Sequence, residues 1–191
     1  MTDTDAGPER TIRILEPYPA VTPEVGVWLG AMQTMRHGLL SSLDRIGRAG
    51  WGNDFLDWRG PAGDDNSVGS LLYHIALVEL GWLYFDMMLG DTPADLKELF
   101  PFEGWDEQER LTHVPDRSLQ EHLDLLAESR RRFLAHVASV SLEDWRTWRS
   151  PEGDDYSATP EWIVFHLVEH EAGHMYEIHR MVRKWRAQQQ G

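Results

Sequence analysis

The chain contains no cysteine. Disulfides and thiolate-ligated metal sites are therefore excluded, and any nucleophilic thiol has to arrive with a substrate. Positive charge is also scarce: Lys and Arg number 18 against 32 Asp and Glu, for a formal charge of −14. Such a surface repels phosphate backbones, so nucleic-acid binding is not expected. The basic residues gather at Arg130, Arg131 and Arg132, and at Arg180, Arg183, Lys184 and Arg186. The second group suits the negative end of a helix dipole, and neither resembles a DNA-reading surface. No apolar run approaches the length of a membrane span, and the polar, acidic N-terminus has no secretory apolar core. A cytoplasmic protein is expected. Strand-like alternation, internal repeats and low-complexity tracts are missing too.

What is present is helical spacing. Apolar residues make up 41% of 191 residues and charged residues 26%, as in an ordinary globular domain. Residues 1–21, with Pro8, Pro17 and Pro19, read as an arm, and residues 22–191 as a single domain. Thr22-Pro23-Glu24 is a helix start, and Val25, Leu29, Met32, Leu39, Leu43 and Ile46 recur at helical spacing. Residues 50–66 read as a loop, broken by Gly52, Gly60, Pro61 and Gly63. Asn66 and Ser67 offer the next cap, and Ser118 with Glu121 a capping box. Thr159-Pro160 opens the last helix. The spacing predicts long helices over 23–49, 67–89, 118–139 and 160–187, with short helical turns after Pro93 and Ser141. A helix of about 23 residues spans about 35 Å. The connection over 91–117 is long enough to run back along such a helix, so helices 2 and 3 need not be antiparallel. The expected fold is an all-α four-helix bundle.

The chemistry concentrates in the last helix. His170 and His174 are four apart, which puts both imidazoles on one face, one turn apart. His74 lies on the apolar side of the second helix, beside Leu71 and Ile75. In a bundle these three can point into one cavity, and three neutral imidazoles leave coordination positions open, as in a catalytic rather than a structural site. Zinc is the first choice, with nickel or iron also suited to three imidazoles. His170-Glu171-Ala172-Gly173-His174 matches the metalloprotease pattern H-E-x-x-H. One protease class needs a third His six residues later, where Arg180 stands; another needs a ligand Glu on a later helix, and none follows. The protease reading is therefore set aside. Glu171 is retained as a candidate base or ligand-orienting group. His166, Trp58, Trp82, Tyr73 and His37 are candidate pocket residues, although core packing is the commoner role of such side chains. His113 and His122 read as loop and surface.

The segment Asn66-Ser67-Val68-Gly69 through His74-Ile75-Ala76 to Glu79, followed by the His170…His174 helix, resembles the DinB/YfiT-like superfamily of metal-dependent enzymes. The resemblance covers about residues 23–185. It implies an up-down-down-up four-helix bundle, His74, His170 and His174 as ligands of a divalent metal, and a homodimer. Members with known activity are transferases or isomerases working with low-molecular-weight thiols. The implied function is activation of a small-molecule thiol or of a water. Hydrolysis, or metal or ligand binding without catalysis, are the alternatives on the same scaffold.

Overall fold

The computed structural model describes residues 12–153 and 155–190. Its secondary structure is helical, in the order α1 (Pro23–Arg48), α2 (Asn53–Leu56), α3 (Val68–Gly81), α4 (Leu96–Leu99), α5 (Leu119–Val137), α6 (Leu142–Trp145) and α7 (Pro160–Gln189). Among the described residues, β-pairing is confined to two isolated bridges, Trp105 with Leu111 and Arg149 with Ala158. Residues 1–11 of the expected arm lie outside the described residues. Residues 12–21 form no helix or strand. They run close along the start of α1, where a Cβ on Gly30 would sit 2.2 Å from the Glu16 carbonyl oxygen. Only glycine admits that approach.

The caps explain where three of the long helices begin. The Ser67 hydroxyl accepts from the Ser70 amide, and Thr159 accepts from the Trp162 amide. Ser118 and Glu121 form the reciprocal capping box. At α1 the expected chemistry is only half realised. Pro23 occupies the first turn, but the Thr22 side chain makes no capping bond and its hydroxyl is buried without a partner. The second long helix also departs from expectation. After Gly81 it continues as a π-helical turn, Trp82–Met87, and stops before Gly90. Residues 53–56, read as loop, form the short helix α2, anchored by buried Phe55 and Leu56.

The four long helices enclose one hydrophobic core, with Leu29, Leu39, Leu71, Leu72, Leu126, Phe133, Ile163 and Val164 among its buried side chains. α1 packs on α7 and α5, and α3 packs on α5 and α7. His122, read as a surface residue, is 0% exposed. It occupies the core-facing stripe of α5 opposite Gly69 of α3, whose missing side chain leaves room for the ring. The stretch Val68–Met87 corrects the reading that no run is long and apolar enough for a membrane. An 18-residue window of it has a mean hydropathy of 1.4, yet 67% of that window is buried inside the protein. It is apolar all round because it is surrounded by other helices.

One polar cluster interrupts the core. Arg36 of α1, Glu79 of α3, Arg130 of α5 and Glu171 of α7 form a closed ring of ion pairs, one residue from each long helix. The N–O distances run from 2.5 Å (Arg130 to Glu79) to 2.8 Å (Arg130 to Glu171). The spare guanidinium N–H groups donate to the main-chain oxygens of Leu126 and Met32. Two cations and two anions leave the ring neutral. Burial alone would raise the pKa of Glu79, but Arg130 and Arg36 outweigh it and hold the carboxyl below its ordinary value.

Candidate metal centre

The helical period places His74 on the second turn of α3, and His170 and His174 one turn apart on the face of α7 that α3 covers. Their Nε2 atoms converge: His74 and His170 lie 3.2 Å apart, and His170 and His174 3.1 Å apart. The three ring nitrogens all fall within 4.8 Å of one another. His74 is buried, and the two α7 rings are half-buried.

The electrostatics keep His74 and His170 neutral at physiological pH. Burial first, and then the neighbouring His174, push the pKa of His74 down to about 4. Burial, followed by His174, His74 and His166, pushes His170 down to about 3. A neutral imidazole has one nitrogen with a lone pair, which is the form that ligates a metal. For His174 the tautomer follows from its partner. Its Nδ1 lies 2.7 Å from Glu177 Oε2. A carboxylate can only accept, so Nδ1 carries a proton, and in the neutral ring Nε2 then presents its lone pair to the centre. That hydrogen bond in turn holds Glu177 below the ordinary carboxylate range. His74 lacks this support, since its Nδ1 is buried without a partner.

The donor set fits a divalent ion. With Zn–N bonds of about 2.0–2.1 Å and tetrahedral angles, ligand nitrogens stand about 3.3 Å apart. The two observed spacings, 3.1 and 3.2 Å, come close to that value. The arrangement could hold one shared cation.

The other candidate residues divide. His166 stands one turn before His170, with ring centroids 6.0 Å apart, and stacks on Trp162 at an interplanar angle of 2°. Trp82 meets His166 edge-on at 5.1 Å. Trp58 lies elsewhere, against Trp185. Tyr73 is a core residue whose hydroxyl donates to the Phe102 carbonyl and accepts from the Phe102 amide. His37 is exposed on α1. Glu171 is buried in the four-residue ion ring, with Oε1 accepting from Arg36 and Oε2 from both arginines. Its carboxylate is thereby engaged away from the imidazoles.

Two neighbours of the centre escaped the sequence reading. Glu177 had a visible signal, its i, i+3 spacing from His174. Trp105 had none. It sits on the 91–117 connection, and its ring meets His74 at 5.2 Å in an edge-to-face contact. A sequence profile described as the DinB superfamily matches residues 28–178. No curated protein matches the chain significantly.

Proposed function

Because the chain belongs to the DinB superfamily, we propose that it holds one divalent metal ion through His74, His170 and His174 and uses it to activate a small-molecule thiol or a water. The observation that carries this reading is the convergence of three Nε2 atoms on one point. Zinc is preferred because imidazole suits it, and nickel and iron are the rivals. When bound, such an ion supplies Lewis acidity, which makes a thiol or water acidic enough to serve as a nucleophile at neutral pH.

The protein's own residues prepare that chemistry. Burial keeps His74 and His170 unprotonated, and Glu177 fixes the His174 tautomer. Three protein ligands leave room for a substrate atom in the coordination sphere. With no cysteine in the chain, a thiol nucleophile has to come with the substrate. The preference for a thiol over water rests on the family resemblance.

The same reading includes an up-down-down-up order of the four long helices. Three pairs of contacts support it. Trp28 meets Glu161 and Ser42 meets His179, as in parallel α1 and α7. Val21 meets Ala138 and Gly47 approaches Leu119, as in antiparallel α1 and α5. Trp82 meets Trp162 while His74 meets His170, as in antiparallel α3 and α7.

The test is elemental analysis of protein loaded with zinc, nickel or iron, followed by assays with thiols plus an electrophile and with ester and amide substrates. The expected result is about one ion per chain, lost in His170→Ala and His174→Ala, with turnover lost alongside. Full occupancy in His170→Ala refutes the site, and occupancy without turnover refutes the catalytic role.

A further inference from the structure

Toward the N-terminal end of α7 the three-imidazole centre gives way to a wall of aromatic rings. Trp82 opens the π-helical turn that follows α3. The extra residue per turn there re-aims the side chains after Gly81, and Trp82 is the first of them. Its ring meets Trp162 at 5.7 Å and 60°, and Tyr156 at 6.0 Å and 55°. With Trp148 these rings line a hollow of about 390 Å³, within the size range of small-molecule sites.

The hollow has an unusual chemical poverty. None of the side chains lining it is charged. Each lining hydroxyl already has a partner: Tyr156 donates to Asp86, Ser157 pairs with Ser150 at 2.6 Å, and Thr159 caps α7. An ammonium or carboxylate entering it would exchange water for ring faces without matching hydrogen bonds. An uncharged aromatic ring needs none. It gains edge-to-face and offset contacts from walls that already stand at 55–60° to one another.

His166 stands between Trp162, which lines the hollow, and His170 of the centre. Its ring lies 5.2 Å from Trp162 on one side and 6.0 Å from His170 on the other. We infer that the hollow is the subsite for an uncharged aromatic group of the substrate, whose reacting end reaches past His166 to the three imidazoles. This deepens the proposed function and rests on it for the reacting end only. The aromatic subsite itself requires no metal.

The experiment therefore uses metal-free protein as well as zinc-loaded protein. p-Cresol, cyclohexanol and tetramethylammonium are titrated by calorimetry and by saturation-transfer NMR. p-Cresol is expected to bind saturably to both forms, about tenfold more tightly than cyclohexanol. Trp148 and Trp162 are 71% and 47% exposed, so their removal leaves the core intact. Trp148→Ala and Trp162→Ala are each expected to weaken p-cresol binding by about 3- to 10-fold, while His170→Ala leaves it unchanged. Absence of saturable p-cresol binding overturns the proposal, as does unaltered affinity in both tryptophan variants. Tighter binding of tetramethylammonium than of p-cresol also overturns it, by making the hollow a cation cage. Failure of the metal reading has a separate signature, unchanged zinc occupancy in His170→Ala.

Discussion

Replacing Glu171 by Gln removes one negative charge from the buried ring and leaves Arg36 and Arg130 to share Glu79. Both guanidiniums are buried, and both donate to Glu171 at distances of 2.7–3.3 Å. At an effective dielectric of about 20, a unit charge pair about 4 Å apart interacts by about 4 kcal/mol. Breaking a buried pair by removing one partner typically costs about 3–5 kcal/mol, because the remaining charge stays uncompensated. In a protein of this length each kcal/mol moves the melting temperature by about 2–4 °C, so Glu171→Gln is expected to lower it by about 6–20 °C. The internal control is Arg131, which pairs with Glu128 while its side chain is 65% exposed. Arg131→Ala should change stability by less than about 1 kcal/mol. Urea unfolding followed by far-UV circular dichroism, at low and high salt, measures both. A loss below about 1 kcal/mol for Glu171→Gln refutes the reasoning. Metal occupancy of the folded fraction separates this structural role from a role as a ligand: it is expected to fall less than in His170→Ala, since Glu171 is engaged by the arginines and not by the imidazoles. None of this makes the ring a net source of stability, since replacing all four residues by well-packed apolar ones can be neutral or better.

Other expectations follow from the same geometry. Glu177→Gln should weaken metal binding by about 10- to 100-fold, since the carboxylate fixes the His174 tautomer; competition with a chelator of known affinity checks this. Burial, with Arg117 as the lesser cause, pushes His122 down to about 4 from an ordinary 6.5. The unfolded chain therefore takes up that proton first. Stability is complete above about pH 6.5 and falls as the pH drops toward 4, by about 3 kcal/mol from this residue. Unfolding of His122→Leu across this range should lack that component. Sedimentation should give about twice the 22.1 kDa chain mass, as expected for the homodimer that the family resemblance implies; a 22.1 kDa species alone at micromolar concentration counts against it.

The features legible in the sequence are those written in local chemistry. Ser118 with Glu121, and Thr159 with Pro160, announce helix starts because a cap is satisfied within three residues. His170 and His174 announce a shared face because the helical period is fixed. The unread features depend on partners distant in the chain. Arg130 stands beside Arg131 and Arg132 and reads as surface charge, yet its neighbours in space are Glu79 and Glu171. His122 follows Glu121 and reads as solvated, although the stripe it occupies faces Gly69. The π-helical turn after Gly81 carries no signal that propensity can detect, and it decides where Trp82 points.

The ring that takes one residue from each long helix also acts as a vernier. Glu79 stands five residues after His74, and Glu171 one residue after His170, so the two glutamates and the two histidines lie on the same pair of helices. Once both glutamates are clamped by the same two arginines, α3 can no longer slide along α7. A slip of a single turn would carry His74 about 5.4 Å from its place, more than the whole spread of the three nitrogens. The alignment of the imidazoles is thus set by charges that do not touch them. Three histidines transplanted onto another helical scaffold without the four charged residues would keep the ligands and lose the ruler.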